Sequence, residues 1–509
     1  MRSFLSALLL LTAMLSAADA PTIRFEAVST PAAPNAFSPT LAAHPDGTAW
    51  LTWLEPAVGG ATLRFATLDR ATGRWSAPGT VAANVAAHHR ASALPAVSVG
   101  ERGDATVVWP ASSALSPAAG AAAGPATPAT GTVAHSFSQT SDRGRTWSPP
   151  AALTTAGNAR GAVALATLAD GRVLAVWNDG RSAGDTVGPA RIVGRIVGTT
   201  GPVQLIDAAA CGDCPITITA FPNGSALVGY RGRTAGDVRD IRAARIHHDR
   251  WEESHAVHDD GWRVAACPND GPHLASDGGR VAAAWFTAAD GDPRVLASLS
   301  PDAGSRFLVP LRISETKAAG RVSTALLHDG AMLVTWVDAD GGIWLRRVTP
   351  DFVTTEPVAL TSPTAGRIIG QPRLALVQDY AGGKTVAQLV VSFERDQQPA
   401  VQTLLVTVPE GELVEAEKAC DCSGGSDDLQ GFALRGRILA AVSPAQMLRV
   451  THYEVPGMLD EGTREFVLAP DVMLPADAAG RPFLGRFERR AGQWVLFSVR
   501  LIGAAPVEK

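Results

Sequence analysis

Apolar residues recur along this chain in short runs, each entered from a tight turn and closed by an aromatic. Asp46-Gly47 leads to Trp53, Gly103-Asp104 to Trp109, Asp170-Gly171 to Trp177 and Asn223-Gly224 to Tyr230. Asp277-Gly278 to Trp285, Asp329-Gly330 to Trp336 and Gly382-Gly383 to Phe393 continue the series, with the aromatics 51 to 68 residues apart. Asp-Gly and Asn-Gly suit the positive φ angles of hairpin turns, so each run predicts a strand leaving a hairpin. The strand before the turn often opens on a proline (Pro39, Pro95, Pro215, Pro272, Pro372), where a missing N–H is tolerated. After each aromatic a polar loop leads to another strand pair, as in Ala61-Thr62-Leu63-Arg64-Phe65-Ala66. About four strands per repeat is the size of a propeller blade. Seven units fit between residues 21 and 410. The first and last either share one blade, giving six, or stand apart, giving seven. A series of β-sandwiches is the competing architecture.

Composition narrows this little. The 509 residues are 46% hydrophobic and 18% charged, with 50 Gly and 35 Pro, a globular and turn-rich balance. A net charge of −5 argues against a broad nucleic-acid surface. Arg2, the apolar run Leu5 to Leu15 and Ala18-Asp19-Ala20 read as a signal peptide over residues 1–20. No later stretch holds the roughly 18 uninterrupted apolar residues of a membrane span. The expectation is an exported chain, periplasmic or secreted and soluble as a monomer. Its five cysteines then meet an oxidising space. Residues 111–132 are Ala/Pro/Gly/Ser-rich and read as a disordered loop inserted in a blade.

Thr140-Ser141-Asp142-Arg143-Gly144-Arg145-Thr146-Trp147 fits the pattern [S/T]-x-D-x-G-x-T-W, and Ser300 to Phe307 repeats it with Asp302 and Gly304. The chemistry is that of a turn: Asp accepts backbone N–H groups, Gly takes positive φ, and the aromatic packs beneath. These motifs resemble the Asp boxes (BNR repeats) of sialidases. The resemblance covers residues 21–410 and implies a propeller in which Asp142, Gly144, Trp147, Asp302, Gly304 and Phe307 are structural. It also implies an arginine clamp, an Asp acid/base and a Tyr–Glu pair in a working sialidase. The stretch matching the first clamp motif is Ala36-Phe37-Ser38-Pro39, without arginine, and the chain has three tyrosines, Tyr230, Tyr380 and Tyr453. No catalytic residue is therefore assigned, and whether the chain is an enzyme stays open. The leading expectation is a divergent or non-catalytic relative that binds a glycan or a small anionic ligand; an active exo-glycosidase is a further alternative.

Loops after the second strand of each blade gather round a propeller axis with the starts of the inner strands. The richest stretch there, Tyr230 to Asp240, carries Arg231, Arg233, Asp237 and Arg239; with Asn269 these are the predicted ligand residues. Cys211-Gly212-Asp213-Cys214-Pro215 opens one blade and Cys267-Pro268-Asn269-Asp270-Gly271-Pro272 the next. Equivalent positions place the three thiols together, as a disulfide with a spare thiol or as a soft-metal site. A zinc site would draw a fourth ligand from a histidine such as His88 or His273.

Past residue 410 the pattern changes. Residues 411–432 form a charged linker with Cys420-Asp421-Cys422, and 433–505 read as short strands of an OB-like barrel. His452-Tyr453-Glu454-Val455-Pro456-Gly457-Met458 and the run to Phe466 resemble the small copper-binding domains of CusF type. The resemblance implies a His452 ligand and two methionines, which here fall on Gly462 and Arg464; Met458, Cys420 and Cys422 are the available substitutes. Periplasmic copper handling is thus the alternative function. The fold class expected is all-β: a six- or seven-bladed sialidase-like β-propeller followed by a small OB-like β-barrel.

Overall fold

The computed structural model describes residues 23–501, apart from 45–46, 70–71, 87–93, 112–133, 155–158, 181–189, 248, 328, 350–351, 362–367, 379–385, 396–400, 410–431, 443–446, 453–458, 460–461, 471, 473, 475–477 and 491–492. The segment expected to be a signal peptide, Cys420 and Cys422 of the expected linker, Met458, His88 and the Ala/Pro/Gly/Ser-rich run after Ala111 lie outside the described residues.

Among the described residues there are seven sheets of four or five strands, and then a closed barrel. The inner strands begin at Phe37, Ala96, Ala159, Thr217, His273, Ala318 and Ile368. They neighbour one another in cyclic order, the last touching the first. This is a seven-bladed propeller. Blade one runs Phe37–Ala43, Ala49–Ala57, Gly60–Asp69 and Arg74–Trp75, and the five blades after it repeat this meander. Blade seven takes Ile368–Gln378, Val386–Arg395 and Val401–Pro409 from the end of the ring and Arg24–Val28 from its start. Arg24 pairs with Thr407 and Val28 with Thr403, which closes the ring. The seven aromatics lie in the second strands of seven different sheets, so the first and last units stay separate blades.

The repeated aromatic is the core of each blade. Trp53, Trp177 and Trp285 are fully buried. Such a side chain removes about 150–250 Å² from water, roughly 4–6 kcal/mol at 25 cal/mol/Å². The predicted opening prolines take two placements. Pro39 and Pro372 sit inside register shifts, between Phe37 and Thr40 and between Ile369 and Arg373. A bulge leaves a residue unpaired, so proline's missing donor is harmless there. Pro215 and Pro272 lie just ahead of their strands.

The two motif turns fasten neighbouring blades. Asp142 Oδ1 accepts the Thr146 N–H at 2.9 Å and Oδ2 accepts its hydroxyl at 2.6 Å. These bonds hold the Asp142 carboxyl down at about 2. Gly144 has φ +82°, and a Cβ there would lie 2.4 Å from the Phe65 ring of blade one. Trp147 meets that ring edge-on, centroids 5.4 Å apart. Asp302 accepts the Arg306 N–H at 2.9 Å, and Gly304 lies against Leu227 of blade four.

Phe432–Val442, Met447–His452, Gly462–Leu468, Pro482–Arg490 and Gln493–Leu501 close the barrel in the order first, second, third, fifth, fourth. The third and fifth strands are parallel. Phe466, Phe483 and Phe487 fill its core.

Candidate functional site

The chemistry-bearing side chains concentrate where blades four and five begin. Cys211 to Pro215 and Cys267 to Pro272 run in contact: a Cβ on Gly271 would lie 2.0 Å from the Pro215 carbonyl oxygen. This approach brings the sulfurs of Cys211, Cys214 and Cys267 within 4.8 Å of one another. The three are free thiols, with Cys211 2.8 Å and Cys214 3.4 Å from Cys267. Cys211 and Cys214 are buried and Cys267 keeps some exposure, beside the exposed Asn269. His273 does not join them; its Nδ1 takes the Thr324 N–H at 3.2 Å.

Arginines frame the thiols. Arg239 Nη1 donates to Cys211 Sγ at 3.2 Å, while Nε and Nη2 hold the carbonyls of Val264 and Ala265, just upstream of Cys267. Arg231 is fully buried. It donates to the carbonyls of Asp270 at 2.8 Å, Arg239 at 2.7 Å and Phe286 at 2.6 Å, and lies 4.9 Å over the Trp262 ring. The predicted ligand residues Arg231 and Arg239 thus spend their N–H groups inside the protein. Tyr230 is likewise buried, its hydroxyl on Asp207 and its pKa raised by burial and that carboxylate. Arg233 and Asp237 remain on the rim as an ion pair at 2.8 Å. Asp240 accepts the Trp262 N–H at 3.1 Å, and burial raises its pKa.

The titration of the cluster follows from its packing. Hydrogen bonds from the Cys211 and Cys214 thiols, aided by the N–H groups of Asn269 and Asp213, hold Cys267 as a thiolate far below the usual thiol range. Burial pushes Cys214 up. At Cys211 the lowering by Cys214 is outweighed by the Cys267 thiolate and burial, leaving it at about 12. The thiol most easily ionised, Cys267, thus sits against two protonated ones, with a guanidinium on Cys211. That donor set suits a soft cation: thiolates select Cu(I) or zinc, and metal binding would displace the remaining protons. Arg239 would offset the excess negative charge from the outer shell.

Asp270 ties this end to blade six. Its Oδ2 accepts the Arg321 N–H at 2.8 Å, and Arg321 Nη1 reaches the carbonyls of Ile368 and Gly370 in blade seven. Burial raises the Asp270 carboxyl to about 6 despite Arg321 and Arg231. Residues ending second strands act similarly: Asn178 donates to the Cys214 carbonyl at 3.0 Å, and Glu394 accepts the Ser38 N–H at 2.8 Å. These residues are blade-to-blade fasteners. On the opposite face a groove of about 1140 Å³ is lined by hairpin turns, and its Arg172 pairs locally with Asp170 at 2.6 Å.

In the barrel His452 is buried, edge-on to Phe466 at 6.0 Å. Gly462 pairs with it across the strands and Arg464 is exposed.

No family model matches this chain, and no curated protein does either. Among solved structures it is similar to the BP39L lectin of Burkholderia pseudomallei, at 11% identity and TM-score 0.49, over 72% of this chain and 99% of the lectin. It is similar to the α-L-arabinofuranosidase Arb93A of Fusarium graminearum, at 11% identity and TM-score 0.42, over 75% of this chain and 96% of that one. The intramolecular trans-sialidase of Ruminococcus gnavus gives 10% identity and TM-score 0.39, over 75% and 95%.

Proposed function

We propose that this chain is an exported binding protein of the sialidase-like propeller class whose loop-bearing face holds one soft metal ion, Cu(I) above all, on Cys211, Cys214 and Cys267. The observation that carries this is the meeting of three free sulfurs within 4.8 Å, from two blade starts 53 residues apart at their nearest. A purely structural trio would need no thiolate, yet bonds from Cys211, Cys214 and the backbone N–H groups of Asn269 and Asp213 favour one at Cys267, while Arg239 reaches Cys211. This moves the copper reading from the barrel to the propeller. The N-terminal signal pattern supports export, and the two motif turns support Asp boxes with a structural role. The test is titration of the reduced, purified chain with Cu(I) against a chromophoric chelator. One ion per chain, lost in Cys267→Ser and weakened about 10- to 100-fold in Arg239→Met, is expected. Absence of any ion at equimolar Cu(I), with all three thiols alkylating as before, sinks the reading.

A second reading, a glycan or small anion bound at the same face, is favoured by the Arg233–Asp237 pair on the rim. It offers one donor fork and one carboxylate to a hydroxyl-rich ligand. A glycan array probed with the wild type and Asp237→Ala tests it; a shared blank result removes it.

A further inference from the structure

One inner-strand position is common to all seven blades: the residue paired with the one just before the blade's aromatic. By that register it is Thr40, Ala96, Ala164, Thr217, His273, Ser323 and Arg373. At three successive blade junctions this residue accepts the next blade's backbone N–H. Thr217 Oγ1 takes Leu274 at 3.1 Å, His273 Nδ1 takes Thr324 at 3.2 Å and Ser323 Oγ takes Leu374 at 3.2 Å. At the next junction the position is Arg373, which has donors only, so the series ends there.

Arg373 is the one charged member of this belt. Its Nε is buried without a hydrogen-bond partner, and no ion pair reaches it among the described residues. Burial alone acts on its pKa, to about 10, which leaves it a cation at neutral pH. His273 is held neutral, pushed down to about 3 by burial and by Arg373. Because its Nδ1 accepts, the proton of the neutral ring sits on Nε2. Arg373, His273, Thr40 and Thr217 line one axial cavity of about 270 Å³. The remaining lining is largely apolar inner strand, such as Leu94, Pro95 and Val163. A cation and neutral donors thus face a chamber that, among the described residues, no carboxylate lines.

We propose that the axial cavity is an anion site, holding a small inorganic oxyanion of the phosphate or sulfate class on the Arg373 guanidinium. The planar fork binds two oxygens of such an ion in parallel, and the hydroxyls of Thr40 and Thr217 and the His273 Nε2–H are further donors in the same chamber. The volume accommodates a tetrahedral ion with several waters, at about 30 Å³ per water. None of the three cysteines lines the cavity, and the proposal stands whether or not they bind metal.

Thermal unfolding of the full chain in rising inorganic phosphate, at constant ionic strength, tests this against Arg373→Met and Arg373→Lys. The wild-type midpoint should climb with the logarithm of phosphate, as a ligand of the native state requires. The methionine variant should stay flat and the lysine variant should climb part of the way. Equal climbs in wild type and methionine variant mean a general salt effect and overturn the proposal, as do two flat lines. Should the methionine variant not fold, equilibrium dialysis of the wild type with labelled phosphate decides. One phosphate per chain, displaced by sulfate, upholds the site; none retained overturns it.

Discussion

Two settings of arginine, one buried and one half-buried, separate framework from ligand chemistry in this propeller. Where blades four and five begin, Arg231 delivers its N–H groups to three backbone carbonyls and its face to Trp262. In the axial belt, Arg373 is half-buried at the wall of the cavity and its Nε meets no acceptor. Charge and residue type are the same. The difference is whether the surrounding backbone turns carbonyl oxygens toward the guanidinium. A saturated arginine is part of the scaffold, because removing it strands the carbonyls it served. One whose donors face a chamber instead of carbonyls keeps them for a ligand.

The largest effect expected of this comparison is on stability. Arg231→Met should cost about 3–5 kcal/mol in chemical denaturation, since it leaves three buried carbonyls without donors. A loss under about 1 kcal/mol would show that water replaces the guanidinium and would erase the contrast. Asp270 sharpens the picture next. Its native carboxyl titrates at about 6, above the value near 4 of an unfolded Asp. Between those values the unfolded chain has already released the proton that the native chain keeps. Stability therefore falls as pH rises from about 4 to about 6, by up to about 3 kcal/mol, and stays lower above. Asp270→Asn should flatten that part of the stability–pH curve; an unchanged slope would assign it to other groups. The smallest effect belongs to Arg373→Met in oxyanion-free buffer, where the change should stay within about 1 kcal/mol or favour the variant. A loss as large as that of Arg231→Met would make Arg373 a framework residue too.

Legibility in the sequence followed the range of the interaction. Asp-Gly turns, alternating strands and a closing aromatic are local, and they marked every blade's second strand from Trp53 to Phe393. The barrel's closed order agrees with the OB-like expectation. The choice between six and seven blades turned on Arg24–Val28, whose partner strand is Val401–Pro409; no local pattern names a partner that distant. Among the site residues, the equivalent placing of Cys211, Cys214 and Cys267 at blade starts was readable. That all three stay free around a shared thiolate was not. Arg231 and Arg239 were singled out as charge in a loop, and what they do was hidden because their acceptors are carbonyls of other segments. Arg373, next to the predicted strand-opening Pro372, carries no local signal of its role. Counting from each aromatic to its paired inner-strand residue would have set it in line with Thr217, His273 and Ser323.

The sequence by itself determined that this chain is a ring of strand repeats with a separate β-barrel after it, because turn chemistry and side-chain alternation act over a few residues. Only the tertiary structure decided which polar groups are spent and which are left over. Closing the ring brings seven inner strands to one axis and two cysteine segments to one edge. Whether a buried charge there finds a carbonyl, a sulfur or an open chamber depends on backbone brought in from other blades.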